Sequence, residues 1–308
     1  MSHSPLGRTD LHVHELCLGG NVFGWSANES QSFDVLNAYA AAGGNFIDTA
    51  DMYSSWHDGN VGGESETIIG NWMKSQGNRQ NIVVATKVAK LETRPGLSAA
   101  NIVEAAEDSL RRLQTDYIDI YYAHHDDEET PLEESLVAFD QLVQSGKVRH
   151  LGASNYTTPR LAEALRISRN MGLAEYVVVQ PNFNAITRDE YQGELQDLCV
   201  KEKLAVLPYF SLAAGFLTGK YAPGVAVESV RAEDMDGYAT ERGWAIVDKV
   251  RTIAHGHNVD MSTIALEWLR TQPGIASPIA SARTVEQLAP LLKRASLSES
   301  ELAELNAL

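Results

Sequence analysis

Cysteine and positive charge are both scarce in this sequence of 308 residues. It has two cysteines, Cys17 and Cys199, too few and too isolated for a disulfide framework or a thiolate metal site. We therefore expect the protein to reside in a reducing cytoplasm. Lys and Arg number 25 against 41 Asp and Glu, and the formal charge of −16 argues against nucleic acid, whose phosphates bind clustered cations. No apolar run reaches the length of a membrane span, and the N-terminus lacks an apolar signal core, so no membrane partner is expected.

The sequence also lacks the fingerprint G-x-G-x-x-G, which makes an open Rossmann sheet the weaker alternative. Instead, short β-rich runs alternate with helical patterns. Eight runs are predicted strands, namely residues 17–20, 45–48, 81–88, 117–124, 148–154, 176–180, 204–209 and 275–280. Counted to Lys87 in the third run, the ends of these runs from 48 to 209 lie 26 to 39 residues apart, the length of a strand, a crossover helix and two loops. We therefore predict one α/β domain over residues 1–308, a (β/α)8 TIM barrel.

Helix and loop signals fit this repeat. The pattern over residues 98–113 begins at Ser98 as an N-cap, and that over 131–146 has Pro131 in its first turn and Gly146 as its stop. Residues 215–238 read as a long loop after the seventh strand, and loops of that length in compact domains are usually functional.

Polar side chains stand at the carboxyl ends of seven consecutive predicted strands, where barrel enzymes build their active sites. They are Asp48, Lys87, His124, Ser154, Asn155, Gln180, Tyr209, Ser281 and Arg283. Their regular placement predicts one polar rim.

Lys87 is the most informative of these residues, because it follows the apolar run NIVVAT and a buried lysine needs a partner. Asp48 offers the counter-charge, and Tyr53 follows it by five residues. An ammonium beside a phenol stabilises phenolate, so we expect the pKa of Tyr53 to fall from about 10 by about 1 to 3 units and Tyr53 to act as a general acid. The plainer interpretations are a lysine that extends to solvent, a capping aspartate and a packing tyrosine.

His124 begins the run HHDDEE, residues 124–129, which raises the alternative of a metal-dependent hydrolase. Adjacent strand residues point to opposite faces, so His124 and His125 cannot readily share an ion, and Lys87 would have no use in such a site. We expect no metal, and His124 as a neutral donor at the rim.

Six ordered motifs carry a resemblance that runs from LGRTDLHVHELCLGG to PIASARTVEQL: DTADMY, TKV, YIDIYYAH, GKVRHLGASNY, VVQPNFN and GFLTGKY. In them the chain resembles the aldo-keto reductases. The resemblance implies a (β/α)8 barrel with an N-terminal β-hairpin that binds NADPH in extended form across its C-terminal rim. It also implies that Tyr53 protonates a carbonyl oxygen, that Lys87 and Asp48 tune Tyr53, and that His124 orients the oxygen.

The same resemblance implies the cofactor contacts. Ser154, Asn155 and Gln180 would hold the nicotinamide carboxamide while Tyr209 stacks on the ring. The loop after strand seven would clamp the pyrophosphate, and Arg283 with Gln287 would meet the adenosine 2′-phosphate, so NADPH is expected over NADH. The full implied set is Gly20, Asn21, Ser154, Asn155, Gln180, Tyr209, Ser211, Leu212, Ala214, Gly215, Leu217, Lys220, Ser281, Arg283 and Gln287.

The sequence departs from the family pattern at four places. Tyr209-Phe210-Ser211-Leu212 replaces Tyr-Ser-Pro-Leu, Ser281 replaces a glycine, and Pro290 with Leu291 replaces a Glu-Asn pair. His125 stands where the family does not usually have a histidine.

Two functions compete for this sequence. The first is an NADP(H)-dependent oxidoreductase for a small carbonyl or alcohol substrate, with Trp25 and Trp56 as candidate pocket residues or as simple loop packing. The second is a cofactor-binding regulatory subunit that resembles channel-associated β subunits. The four candidate catalytic residues and the absence of a long N-terminal extension favour the enzyme.

Overall fold

The computed structural model describes residues 3–222 and 237–308, and in it a small hairpin precedes eight parallel strands. The hairpin pairs β1 (Ser4–Pro5) with β2 (His12–Val13) in antiparallel register. The parallel strands are β3 (Cys17–Gly19), β4 (Phe46–Asp48), β5 (Val83–Val88), β6 (Ile118–Ala123), β7 (Val148–Ser154), β8 (Tyr176–Gln180), β9 (Ala205–Val206) and β10 (Ile279–Ala280).

The eight parallel strands curl into a (β/α)8 barrel in a single domain, as predicted. Their order is β10-β3-β4-β5-β6-β7-β8-β9, so each strand pairs with its neighbour in sequence and the last strand pairs with the first. An isolated bridge between Val206 and Ile275 joins the β9 side to the segment before β10. All carboxyl ends therefore meet on one rim.

Helices follow the strands and cover the barrel. They are α1 (Glu29–Ala41), α2 (Glu64–Gln76), α3 (Ala99–Leu113), α4 (Leu132–Gln144), α5 (Thr158–Met171), α6 (Glu194–Glu202), α7 (Glu241–His257), α8 (Met261–Arg270), α9 (Val285–Leu292) and α10 (Glu299–Asn306). Ser98 caps α3 by accepting from the backbone N–H of Asn101, and the chain leaves α4 through Gly146 at φ +76°. Both helix boundaries agree with the predicted signals to within two residues.

The hairpin packs against the interior of the barrel. Its side chains Leu6, Leu11 and Val13 are buried in one cluster with inward-facing Cys17 and Phe46. Apolar burial of this kind contributes about 25 cal/mol per Å². The opposite, carboxyl end of the barrel is left for the polar rim.

Two strands and the long loop differ from the prediction. The runs 204–209 and 275–280 form only two-residue strands, because Pro208 and Pro278 have no backbone N–H to donate to a ladder. The predicted loop of 215–238 begins inside a 3₁₀ helix, Ala213–Thr218, and its residues 223–236 lie outside the described residues. Within the described ranges, no helix is long and apolar enough to cross a membrane.

Candidate active site

A cavity of about 680 Å³ opens at the carboxyl ends of the strands. Of the nineteen residues predicted for catalysis or cofactor binding, sixteen line it: Asn21, Asp48, Tyr53, His124, Ser154, Asn155, Gln180, Tyr209, Ser211, Leu212, Ala214, Gly215, Lys220, Ser281, Arg283 and Gln287. Residues distant in sequence therefore share one site.

Asp48, Lys87 and Tyr53 form a hydrogen-bonded unit at this cavity. The buried ammonium of Lys87 donates to Asp48 Oδ2 at 2.6 Å, to the Thr49 carbonyl at 2.8 Å and to the Tyr53 hydroxyl at 2.9 Å. The Tyr53 hydroxyl lies 3.2 Å from the same Asp48 oxygen. Parallel register places Asp48 beside Ala85, so β4 and β5 bring these side chains together. Lys87 itself lies behind the cavity lining.

The expected lowering of the Tyr53 pKa is wrong for this arrangement. Burial raises the pKa of Tyr53 well above 10, and the negative charge of Asp48, with its hydrogen bond to the phenol, raises it further. Burial also lowers the pKa of Lys87, while Asp48 acts in the opposite direction. The unit therefore holds a neutral phenol, which carries the proton that a general acid must donate.

His124 follows β6 and faces the same cavity. Its ring lies edge-on to that of Tyr53, with centroids 6.0 Å apart. Burial, followed by the charges of Lys87 and Lys90, lowers the pKa of His124 well below 6.5, so the imidazole is neutral. In the described part of the chain, its buried Nδ1 has no hydrogen-bond partner.

Polar groups after β7, β8 and β9 connect to this unit. Gln180 Nε2 donates to Asp48 Oδ1 at 2.9 Å, and Ser154 Oγ donates to the Gln180 carbonyl at 2.8 Å. Asn155, at φ +56°, donates to the His124 carbonyl at 2.9 Å and accepts from the Tyr209 hydroxyl at 2.8 Å. The network fixes these side chains along one wall of the cavity.

The loop after β9 has an unusual backbone. Phe210, Ala213 and Ala214 have φ of +51°, +48° and +53°, and Gly215 follows at +98°. Non-glycine residues seldom adopt the left-handed region, and successive residues of this kind can turn backbone N–H groups toward an anion. The ring of Phe210 occupies the lining where the family has a small polar residue.

Two of the other departures also fall on the lining, whereas His125 does not line the cavity. Ser281 donates to Asn21 Oδ1 at 2.6 Å, so the hydroxyl in place of glycine joins β10 to the loop after β3. Pro290 and Leu291 line the cavity, and Pro290 lies inside α9.

Arg283 lies directly before the start of α9, and Thr284 is the N-cap of that helix. The backbone N–H of Arg283 donates to Gln287 Oε1 at 3.0 Å. Across residues 3–222 and 237–308, the Arg283 side chain makes no ion pair, so it is not paired with Glu286 there. A cation at a helix N-terminus is a favourable place for a phosphate.

Two predicted cofactor residues do not line the cavity. Gly20 donates its N–H to the Asp48 carbonyl at 2.8 Å and accepts from Ser65 Oγ, so its backbone is used within the fold. Leu217 is fully buried in the hydrophobic core. Both residues lie behind the surface that a ligand would contact.

Of the two candidate pocket tryptophans, Trp25 and Trp56, only one lines the cavity. Trp56 lines the cavity and is 45% exposed, whereas Trp25 does not line it. The two indoles meet edge-on at 5.5 Å, and Trp56 also meets Tyr53 at 6.1 Å. Trp25 therefore packs against Trp56, whose ring in turn contacts that of Tyr53.

The run HHDDEE is occupied by protein contacts. His125 Nδ1 contacts the Asp126 carbonyl, the guanidinium of Arg160 binds both oxygens of Asp126, and Asp127 accepts from Leu97 N–H and Thr130 Oγ1. No group of three His, Cys, Asp or Glu suited to a metal occurs among the residues that the structure describes.

Sequence reasoning missed Lys90 and Asp51. Lys90 lines the cavity, and its spacing from Lys87 in TKVAK at a strand end was the available signal. Asp51 is fully buried behind the Asp48 unit, and neither carboxylate oxygen has a hydrogen-bond partner in the described residues. Burial, with the charge of Glu66, raises the pKa of Asp51 to about 7.

Comparison with known proteins gives a consistent picture. A model of the aldo/keto reductase family matches residues 15–308. The uncharacterized oxidoreductase YrpG of Bacillus subtilis is 32% identical over 308 residues, which cover 97% of this chain and 92% of that protein. Protein tas of Escherichia coli is 30% identical over 337 residues, 100% and 97% of the two chains. The probable voltage-gated potassium channel subunit beta of Oryza sativa is 30% identical over 305 residues, 95% and 90%.

Proposed function

The chain belongs to the aldo/keto reductase family of oxidoreductases, and from that premise we propose that it transfers hydride between NADP(H) and a small carbonyl or alcohol substrate. The observation that carries the proposal is the buried Lys87 ammonium, 2.9 Å from the Tyr53 hydroxyl and 2.6 Å from Asp48 Oδ2. A structural ion pair would not need a phenol at the mouth of a cavity.

Tyr53 is the proton donor in this proposal. Its neutral phenol gives a proton to the carbonyl oxygen during reduction, and the Lys87 ammonium stabilises the phenolate that remains. Asp48 keeps the ammonium in place. The neutral His124 donates a hydrogen bond that orients the carbonyl oxygen, and in alcohol oxidation the same groups act in reverse.

The residues of the cavity fit a nicotinamide dinucleotide. NADPH, when bound, supplies hydride from C4 of its nicotinamide. Ser154, Asn155 and Gln180 would bind the carboxamide, and the left-handed backbone of the loop after β9 would meet the pyrophosphate. Arg283, at the start of α9 and without an ion pair in the described residues, is suited to the 2′-phosphate.

A cofactor-binding regulatory subunit is the less favoured alternative. Relatives of similar identity include an oxidoreductase as well as a channel subunit beta, so their names do not support that role over the enzyme. The hydrogen-bonded catalytic unit favours turnover.

Cys17 and Cys199 are buried free thiols, which agrees with a location in the cytoplasm.

Turnover of a carbonyl panel tests the proposal directly. The protein is incubated with NADPH, or with NADH, and aromatic and aliphatic aldehydes and ketones, and absorbance at the nicotinamide band is followed with and without a chelator. We expect oxidation of NADPH that is insensitive to the chelator. Absence of turnover with every compound and both cofactors would reject the enzyme, and loss of turnover with chelator would point to a metal-dependent reaction.

A further inference from the structure

Lys90 reaches the cavity through a strained turn. It follows Lys87 by three residues and lines the same cavity as Tyr53 and His124. Ala89, directly before it, is buried at φ +111°, a conformation that L residues rarely adopt, and its carbonyl accepts from the Gly96 N–H at 2.9 Å. Strain of this kind persists where surrounding contacts hold it and is concentrated at functional sites.

The ammonium of Lys90 makes neither a hydrogen bond nor an ion pair with any residue in the described part of the chain. This is notable in a protein with 41 acidic residues, since an exposed lysine has many carboxylates within reach. The acidic run HHDDEE does not provide one, because Asp126 is bound by Arg160 and Asp127 accepts from Leu97 N–H.

The charge of Lys90 acts on the proposed reaction site. It contributes to lowering the pKa of His124, and partial burial, followed by the charge of Lys87, lowers the pKa of Lys90 itself. Lys90 and His124 line the same cavity, so the ammonium shares it with the group that would orient a carbonyl oxygen.

The acidic residue that lines this end of the cavity is already paired with a cation. Asp48 is paired with Lys87. The other acidic residues of the lining, Asp260 and Glu286, belong to the N-cap of α8 and the first turn of α9, on the side of Arg283. The region around Tyr53 is therefore locally cationic in a protein of formal charge −16.

We propose that Lys90 binds an anionic group of the substrate, so that the preferred substrates are aldehydes or ketones that also carry a carboxylate or a phosphate. The inference rests on the proposed carbonyl reduction and specifies its substrate class. A surface lysine with no such role would leave the anionic and neutral forms of one carbonyl compound equally good substrates.

Matched substrate pairs test this role. Oxo acids with the carboxylate two to five bonds from the carbonyl carbon are compared with their methyl esters, and a phosphorylated aldehyde tests the second anion. We expect kcat/KM to favour the anionic member at one chain length. In Lys90→Met the ratio of kcat/KM for the anionic member to that for the neutral member should fall about 10-fold. This is the lower end of the range for a hydrogen bond to a charged group, because the site is exposed. Lys90→Arg should retain most of the preference, and Lys74→Met, an exposed lysine outside the lining, should leave it unchanged.

The outcomes separate this inference from the proposed reaction. Turnover without preference for the anion at any length, or an equal loss for both members in Lys90→Met, would overturn the role of Lys90 and leave the reductase in place. If no carbonyl compound reacts, calorimetric titration with the corresponding hydroxy acids still decides: binding about 10-fold weaker in Lys90→Met supports the anion site. Equal binding, or none to the unmodified protein, overturns it.

Discussion

Replacing Lys87 by methionine removes a buried charge while keeping most of the apolar stem. Its ammonium makes three hydrogen bonds of 2.6 to 2.9 Å, all inside the protein. After its loss Asp48 keeps only neutral donors, the Gln180 amide at 2.9 Å and the Tyr53 hydroxyl at 3.2 Å. Removing one partner of a buried ion pair costs about 3–5 kcal/mol, and we expect the free energy of unfolding to fall by that amount.

A second substitution separates the charge effect from simple loss of packing. In Lys87→Met/Asp48→Asn neither member of this buried ion pair is left charged without its partner, so part of the lost stability should return. Urea unfolding followed by circular dichroism and tryptophan fluorescence measures both variants, and coincidence of the two signals tests for a single transition. Carbonyl reduction should be lost in both, because the phenolate of Tyr53 would have no cation beside it.

Two results would refute this reasoning. A Lys87→Met protein as stable as the unmodified one would mean that Asp48 does not depend on the ammonium for its charge. A Lys87→Met protein that reduces carbonyl compounds at a normal rate would remove Lys87 from the mechanism, whatever its stability.

Three further predictions concern single residues. Tyr53→Phe keeps the ring and removes the proton donor, so steady-state reduction should fall about 10²–10⁴-fold while NADPH binding survives. Near-normal turnover would contradict the assignment, and so would an equal loss in Tyr117→Phe, a tyrosine that does not line the cavity. Arg283→Ala removes a charge-assisted contact, so fluorescence titration should show the NADPH Kd rising about 10- to 150-fold and NADH binding barely moving; equal weakening of both would remove Arg283 from the phosphate site. Asp51, with a pKa of about 7 folded and about 3.9 unfolded, binds more protons in the folded state, so stability should decrease by up to about 1.4 kcal/mol per pH unit as pH rises between these values. Asp51→Asn should flatten that slope in urea titrations, and an unchanged slope would assign it to other groups.

The strands of the barrel could be predicted from sequence because a buried parallel strand is a continuous apolar run with a polar stop. Val83–Val88 and Tyr176–Gln180 are found where the pattern predicted them, to within two residues. The runs that contain Pro208 and Pro278 looked equally apolar, but a ladder also requires backbone donors, which hydropathy does not record.

The site was predictable where strand register alone brings residues together, as for Asp48 and Lys87. The ionisation of Tyr53 could not be predicted, because the direction in which its pKa shifts depends on how deeply the phenol is buried and on which Asp48 oxygen it faces. Gly20 and Leu217 were carried over from the family pattern, and only the structure shows that they do not line the cavity. Lys90 was missed although its spacing from Lys87 was visible, because the sequence does not reveal the left-handed turn at Ala89 that directly precedes it.

The closing seam of the barrel has a consequence for breathing motions. Strands β9 and β10 have two residues each. In the described part of the chain, the isolated bridge of Val206 with Ile275 and the hydrogen bond from the Ile279 N–H to the Pro208 carbonyl at 3.0 Å join the two sides. Fewer ladder bonds mean easier local opening, so amide hydrogens along this seam should exchange with solvent sooner than those of the long β6–β7 pair. Tyr209 and Arg283 stand on opposite sides of the seam. A dinucleotide that contacted both residues would link the two sides of the barrel where the strand pairing is short. Slower amide exchange there would then report its binding even when no substrate reacts.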